Sequence, residues 1–358
     1  MSEMKDVMAE FDRKPGVPLS GPPLLDVSGL FDADQGVQKR VANEIGQAAR
    51  DIGFFRITGH GIDGDLISRT YEAARRFFAL SEELKRQYYI GLSSNHRGYV
   101  PFTEKGDYSD EKSRNYEAFD LALDLPETDP DFIAGNRLLG PNVWPELDGF
   151  QEAVAEYYEQ ISSLGLRVCA ALELYLDLPP GKITGHMTKP ISQLRLMHYV
   201  RQSDNVDSRS VNMGAHTDYE CLTLLHTSNP GLQVMDSMGK WIDVPVDPGT
   251  FVVNIGDMLE AWTNGHLRST PHRVLNLSAE RYSLPYFVAA NFDTVISPFP
   301  EVLRPGEEPR YKPFRAGAHL ERMLIRDFPY LAQKDPSGAA LPEPVHNPFE
   351  DRLNRGAS

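Results

Sequence analysis

Residues 214–225 read GAHTDYECLTLL and contain the pattern that decides how the chain folds. The polar residues at the beginning of this segment are followed by apolar and β-branched residues, which predict a strand over 221–227. In an extended segment, side chains two positions apart point to the same face. His216 and Asp218 can therefore reach one metal ion together.

A third metal ligand has to come from a distant strand, and the best candidate is His272. Two imidazoles and one carboxylate leave three neighbouring coordination positions open, as in non-haem Fe(II) oxygenases. Two of these positions suit a chelating keto acid and the third suits O2. Because a His-x-Asp pair is common by chance, the prediction depends on the order of the three residues: His272 lies 54 positions after Asp218, ahead of another strand.

Arg281 and Ser283 follow nine positions after His272 and alternate onto one face. A guanidinium and a hydroxyl together suit the far carboxylate of a dicarboxylic keto acid. A surface ion pair is the ordinary explanation for a strand arginine. The position of this pair after the three candidate ligands favours the keto acid instead.

The surrounding segment, from Ile191 to Phe292, consists of short strands separated by turns, which is typical of an all-β sandwich or barrel. Strands are predicted at 193–200, 221–227, 232–235, 251–255 and 282–290, with a tight turn between strands at 254–257. The preceding part is mainly helical, with predicted helices at 37–52, about 65–80, after an N-cap at Ser81, and 150–176. An ordered loop with strand pieces is expected at 95–130, and a last helix at 318–326. The predicted class is mixed α and β, with a jelly-roll core flanked by helices.

The domain prediction follows from the absence of a linker between these parts. One domain is expected over 23–331, divided into a mainly helical part (23–190), a jelly-roll core (191–295) and a C-terminal helical part (296–331). The polar, proline-containing segments 1–22 and 332–358 are predicted to be a flexible arm and a flexible tail, because neither can bury enough apolar surface.

The composition narrows the class of partner. The 358 residues carry a formal charge of −15, which argues against nucleic acid or an anionic membrane as the main partner. No secretory signal or membrane-spanning run is recognised, and two cysteines without CxxC spacing fit a reducing cytoplasm. The expected partner is a small-molecule substrate, and the oligomeric state is left open.

Several motifs in order resemble the isopenicillin N synthase-like Fe(II)/2-oxoglutarate-dependent oxygenases, over about Pro23 to Leu331. The motifs are PLLDVS (23–28), GFFRITGHGI (53–62), FFAL (77–80), RGY (97–99) and EAFD (117–120), followed by the metal and Arg-x-Ser motifs. The resemblance implies a distorted double-stranded β-helix, Fe(II) held by His216, Asp218 and His272, and 2-oxoglutarate held by Arg281 and Ser283. It also implies that Tyr199 contacts the cosubstrate. The sequence departs from the family's usual Asn-x-Tyr-Pro, because Met197 stands at the asparagine position.

The substrate pocket is predicted from alternation and from nearby aromatic residues. Arg195, Met197 and Tyr199 share one face of a strand, and His198 points away. A buried arginine needs a partner, so Arg195 either binds an anionic group of the substrate or pairs with an acidic neighbour such as Asp120. Further pocket residues are expected in the loop before the core and around the strands of the core: Arg97, Tyr99, Phe102, Tyr108, Phe119, Asn291 and Phe292.

The predicted activity is a dioxygenase that uses O2 to oxidise an unactivated C–H bond of a small polar or anionic metabolite. Hydroxylation is favoured over desaturation or cyclisation, with release of succinate and CO2. An Fe(II) oxidase of the isopenicillin N synthase type, without 2-oxoglutarate, remains an alternative. A catalytically silent small-molecule sensor and a zinc hydrolase are the alternatives from other classes.

Overall fold

A computed structural model describes residues 21–102, 116–200, 211–275 and 280–334. Most of the predicted arm (1–22) and tail (332–358) lies outside these ranges. The division of 23–331 into three parts stays a prediction.

The helices agree closely with the hydrophobic periodicity. The helix predicted at 37–52 spans Gln35–Asp51, and Ser81 accepts a hydrogen bond from the backbone N–H of Leu84, as an N-cap does. The helices in chain order are α1 (Gln35–Asp51), α2 (Gly64–Phe78), α3 (Glu82–Arg86), α4 (Pro130–Ile133), α5 (Phe150–Tyr175), α6 (Asp257–Trp262), α7 (Ala316–Asp327) and α8 (Pro329–Lys334).

Most of the strands pair in two sheets. The strands in chain order are β1 (Leu24–Asp26), β2 (Phe54–Thr58), β3 (Gly98–Val100), β4 (Tyr116–Ala122), β5 (Gln193–Tyr199), β6 (Val211–His216), β7 (Leu222–Thr227), β8 (Leu232–Met235), β9 (Trp241–Asp243), β10 (Phe251–Ile255), β11 (His272–Leu275), β12 (Arg281–Val288), β13 (Val295–Ile296) and β14 (Phe314–Arg315). The large sheet has the order β1-β2-β10-β7-β12-β5-β4-β3, and the small sheet has the order β6-β11-β8-β9. The strands β13 and β14 form a separate pair.

The long helix α5 packs directly on the large sheet. A Cβ atom at Gly165 would lie 2.7 Å from a methyl carbon of Val288, which is closer than side-chain carbons approach. Glycine at this position therefore allows the helix to lie close to β12, and the apolar residues on either side form the core.

One local prediction was wrong. Residues 257–262 form the helix α6 instead of following a turn into another strand. The physical reason is that α6 is buried all round, so it shows no polar–apolar alternation from which its period could be read. The segment 95–130, predicted as an ordered loop with strand pieces, contains the strands β3 and β4, and β4 pairs with β5 along its whole length.

Among the helices that the structure describes, none is long and apolar enough to cross a membrane.

Candidate active site

The two candidate histidine ligands lie opposite each other at the end of an antiparallel strand pair. His216 ends β6 and His272 begins β11, and the two residues are register partners. Their ring centroids are 4.2 Å apart. Residues that are far apart in sequence thus meet because β6 and β11 pair.

Asp218 completes the cluster. Its Oδ1 atom lies 3.7 Å from Nε2 of His216 and 3.6 Å from Nε2 of His272. One ligand atom from each of the three residues lies within 4.8 Å of the others, and this is the group of potential metal ligands found in the described residues. The arrangement matches two imidazoles and one carboxylate on one face of a single ion.

Each ligand is oriented by a second partner. The Nδ1 atoms of His216 and His272 lie 2.9 Å and 3.3 Å from backbone carbonyl oxygens two residues earlier. Because a carbonyl only accepts, Nδ1 carries the proton and Nε2 is left to bind metal. The Oδ2 atom of Asp218 accepts hydrogen bonds from Asn254 Nδ2, at 2.7 Å, and from the Thr223 hydroxyl.

The electrostatics of the cluster keep His272 and Asp218 in their metal-binding forms. Burial and the neighbouring His216 together lower the pKa of His272 to about 4, against the opposing effect of Asp218. Burial by itself would raise the pKa of Asp218, but the two histidines and the hydrogen bonds from Thr223 and Asn254 bring it below its ordinary value. A neutral imidazole and an ionised carboxylate are what metal binding requires.

Arg281 and Ser283 lie on the large sheet, where they line the same cavity as the metal cluster. The Arg281 guanidinium donates to Ser283 Oγ at 3.3 Å and to the carbonyl oxygen of Asn229 at 3.2 Å. Arg281 is 4% exposed, and among the described residues no carboxylate pairs with it. A buried guanidinium without a counter-charge fits a carboxylate supplied by a ligand.

Tyr199 supports this end of the cavity from the neighbouring strand. Its register partner on β12 is Arg281, whose guanidinium carbon lies 4.7 Å from the centre of the tyrosine ring. The hydroxyl donates to Met197 Sδ at 3.6 Å. Burial raises the pKa of Tyr199, so the phenol stays protonated and remains a hydrogen-bond donor.

Arg195 lines the cavity but does not offer a free charge to a ligand. Its Nε and Nη2 atoms each lie 2.7 Å from a carboxylate oxygen of Asp120, its register partner on β4. Of the two roles predicted for Arg195, the structure shows the pairing with Asp120.

The cavity that contains these groups has a volume of about 100 Å³. The lining residues come from both sheets, from the segment before β7 and from the end of α7. Several of them were not predicted from the sequence: Tyr116, Gln193, Glu220, Phe287, Leu324, Asp327 and Phe328. Burial and the neighbouring Asp218 raise the pKa of Glu220 to about 8. Gln193 lies two positions before Arg195, and Phe287 lies four positions after Ser283 on the same strand, so strand alternation could have identified both. The others were not identified from alternation.

The remaining residues predicted for the pocket do not line this cavity. The residues concerned are Arg97, Tyr99, Phe102, Phe119, Asn291 and Phe292, while Tyr108 lies outside the described residues. Phe119 pairs in register with Leu196, a residue on the opposite face of β5 from Arg195, and its ring packs against those of Phe77 and Phe150.

Tyr99 is also on that opposite face, where its hydroxyl donates to Glu117 at 2.7 Å and to Glu82 at 3.0 Å. The side chain of Asn291 accepts a hydrogen bond from the backbone N–H of Lys189 and donates one to the Thr188 hydroxyl. Phe292 packs over Gly317, in the first turn of α7. These side chains have structural partners, which accounts for their position away from the cavity.

A 2-His-1-carboxylate cluster beside a buried arginine, between two sheets, defines the class of non-haem Fe(II) oxygenases. Family models confirm the class: residues 22–147 match the N-terminal domain model described as non-haem dioxygenase in morphine synthesis, and residues 190–290 match the 2OG-Fe(II) oxygenase superfamily.

Known proteins are similar over most of the chain. A 2-oxoglutarate-Fe(II) type oxidoreductase, hxnY, from Emericella nidulans is 35% identical, covering 82% of this chain and 86% of that protein. A homoarginine-6-hydroxylase from Glycine max is 32% identical, covering 86% and 97%. The crystal structure of a full-length Neurospora crassa protein in complex with α-ketoglutarate and thymine superposes with a TM-score of 0.75 at 25% identity, covering 86% and 98%.

The chain therefore belongs to the 2OG-Fe(II) oxygenase superfamily, in its isopenicillin N synthase-like branch. It is a non-haem Fe(II)/2-oxoglutarate-dependent oxidoreductase with the mixed α and β, double-stranded β-helix fold of that family. Its cofactors are Fe(II) and 2-oxoglutarate, and His216, Asp218 and His272 form the metal triad.

Proposed function

We propose that the chain hydroxylates an unactivated C–H bond of a small polar metabolite, with release of succinate and CO2. The observation that carries this proposal is Arg281: a buried guanidinium beside Ser283, without a carboxylate partner among the described residues, in the cavity that also holds the metal triad. A keto acid that chelates the metal through one end would present its other carboxylate to such a group.

Different residues of the chain would bind the metal and the cosubstrate. His216, Asp218 and His272 would hold Fe(II), Arg281 and Ser283 would bind the C5 carboxylate of 2-oxoglutarate, and Tyr199 would contact it. The bound iron and keto acid supply the oxidation chemistry, in which O2 converts the keto acid to succinate and CO2 and a substrate C–H bond is oxidised. The protein contributes a buried site that excludes water and positions the substrate beside the metal.

The substrate is small and polar. The relatives include a homoarginine hydroxylase and a structure that contains thymine, and both names indicate small polar compounds. Arg195 pairs with Asp120, and Asp327 pairs with Arg326, so these charged residues of the lining form ion pairs within the chain. Such a lining favours a neutral polar substrate over an anionic one.

The proposed outcome of the reaction is hydroxylation of the substrate. Desaturation and cyclisation use the same iron and keto acid, so hydroxylation is proposed because a hydroxylase is among the relatives. Cytoplasmic location stays a prediction; it is supported by Cys169 and Cys221, which are both free and buried.

The decisive experiment adds Fe(II) and then 2-oxoglutarate to the protein without O2, and follows the charge-transfer absorbance of the complex. The wild-type protein should develop the band and His216→Ala should not, because it lacks a metal ligand. A band that persists in His216→Ala would refute the ligand assignment.

A screen of small polar metabolites under O2, read as succinate release, tests the activity. Product formation without succinate would favour an oxidase of the isopenicillin N synthase type. Formation of the complex without turnover of any compound would favour a sensor.

A further inference from the structure

Gln193 is a buried polar residue in the lining of the cavity. The residue is 5% exposed and lines the cavity, yet its Nε2 atom has no hydrogen-bond partner among the described residues. An unpaired buried amide N–H loses its hydration without compensation, and in native proteins a ligand, an ion or a bound water molecule often supplies the partner of such a group.

Glu220 presents a complementary acceptor to the same cavity. It is also 5% exposed, and no side chain in the described part of the chain forms a hydrogen bond or an ion pair with its carboxyl group. The iron does not need it, because the triad is complete without it. A carboxyl group retains an acceptor oxygen in either protonation state, so Glu220 can accept a hydrogen bond from a ligand in both.

Both residues lie at the end of the cavity away from Arg281. On β12, Arg281 pairs with Tyr199 and Phe287 pairs with Gln193, and six residues of strand span about 20 Å. Glu220 is next to Cys221, whose backbone N–H donates to the carbonyl oxygen of Val288, the residue after Phe287. With 2-oxoglutarate at Arg281, this end is left for the substrate.

The guanidinium of Arg195 lines the same cavity but is already paired with a carboxylate of the chain. The guanidinium of Arg195 is held by two 2.7 Å contacts to Asp120, so a ligand that enters meets an amide donor and a carboxyl acceptor.

We propose that Glu220 and Gln193 determine substrate specificity, and that the substrate is a small nitrogen compound of the amide, lactam or ureide type. Its N–H group donates to Glu220, and its carbonyl oxygen accepts from Gln193 Nε2. This inference rests on the proposed function and adds the chemistry that the substrate must carry.

The experiment uses the full chain with Fe(II), 2-oxoglutarate and O2, and matched pairs of probes. Each pair consists of a small amide, lactam or pyrimidine and an isostere in which oxygen or CH2 replaces the N–H group, such as 2-piperidone with δ-valerolactone or cyclohexanone. Succinate release gives kcat/KM for each member. We expect the N–H member of the best pair to exceed its isostere by about 10- to 100-fold, as for a hydrogen bond to a carboxyl group.

Variants assign this discrimination to the two residues. Glu220→Leu should reduce the ratio within the best pair to below about threefold, whereas Glu220→Gln, which retains an acceptor oxygen, should keep most of it. Gln193→Leu removes the donor proposed for the substrate carbonyl oxygen. In this variant an amide should therefore no longer be preferred over the corresponding amine, which lacks that carbonyl group. Glu301→Gln changes an exposed carboxylate that pairs with Lys182 and is the control, with an unchanged ratio.

A ratio within one protein is insensitive to partial loss of folded enzyme, so it separates recognition from stability. Isosteres that react as well as N–H compounds, an unchanged ratio in Glu220→Leu, or no turnover of any probe by a protein that forms the Fe(II)/2-oxoglutarate complex would each overturn the inference. Failure of the wild-type protein to form that complex would instead overturn the proposed function.

Discussion

The two faces of the large sheet carry different kinds of polar residue, although the same strands contribute to both. On the face that lines the cavity, Arg281 has no carboxylate partner and Gln193 Nε2 has no hydrogen-bond partner within the described residues. On the reverse face, Glu117 accepts from Lys85 at 2.6 Å and from His198 Nδ1 at 2.8 Å.

The difference indicates which residues serve ligands and which serve stability. Partners supplied by the chain make the reverse face complete without a ligand, whereas the cavity face is complete only when a ligand supplies the missing groups. Substitutions on the cavity face should therefore change binding constants, and substitutions on the reverse face should change stability.

The largest effect is expected for Arg281→Ala on the cavity face. Loss of the guanidinium should raise the KM for 2-oxoglutarate on the order of 100-fold, since a buried hydrogen-bonded charge pair is broken. Arg281→Lys should lie between this variant and the wild type, because lysine keeps the charge but not the fork-shaped donor set.

The measurement is succinate release as a function of 2-oxoglutarate concentration. Arg315→Ala, at an arginine paired with Asp293 on the surface, is the control. An unchanged KM in Arg281→Ala would remove the basis for the contrast between the two faces.

Asn254→Ala tests a cavity residue that orients the metal ligand Asp218. Asn254 donates to Asp218 at 2.7 Å, and removing such a partner of a metal ligand is expected to weaken Fe(II) binding by roughly 10- to 100-fold. Anaerobic titration with Fe(II) gives the dissociation constant. An affinity within twofold of the wild-type value would mean that Thr223 alone holds the carboxylate.

Phe119→Leu tests the reverse face. Phe119 is fully buried and packs edge-to-face against Phe77 with centroids 4.9 Å apart, so the smaller side chain should lower the free energy of unfolding by about 1.5 kcal/mol. The KM for 2-oxoglutarate should not change. Denaturant unfolding and steady-state kinetics give the two quantities, and a raised KM at undiminished stability would contradict the assignment.

The smallest effect concerns His226, which is half-buried on the reverse face of β7 and hydrogen-bonded to the Tyr71 hydroxyl at 2.8 Å. Burial, reinforced by His60, lowers its pKa to about 4. In the unfolded chain the histidine takes up a proton near its ordinary pKa of about 6.5, whereas in the folded chain it stays neutral. Stability is therefore lost as the pH falls from about 6.5 to about 4.

His226→Gln should show a smaller loss of unfolding free energy between pH 7 and pH 5 than the wild type, measured by denaturant unfolding at both values. His186→Gln, at an exposed position, is the control. An equal loss in His226→Gln and the wild type would show that other groups account for the acid sensitivity.

The sequence was sufficient for the features that depend on order and on alternation. His216 and Asp218 share a face because they are two positions apart, and so do Arg281 and Ser283. Alternation also places Arg195 on the cavity face and His198 on the reverse face. These relations are local, so they are the same in the isolated sequence and in the folded chain.

Only the tertiary structure decided which strands lie side by side and in which register. Phe119 belongs to the core because it pairs with Leu196, whereas Asp120, one residue later, pairs with Arg195 and neutralises it. Glu220 lies at the cavity because the segment just before β7 is hydrogen-bonded to the end of β12, through the backbone N–H of Cys221 and the carbonyl oxygen of Val288. Register is set by the packing of the whole sheet, and a shift of one residue would exchange the two faces. The sequence therefore identified the metal triad and the arginine proposed to bind the cosubstrate, but the residues proposed to select the substrate became visible only in the fold.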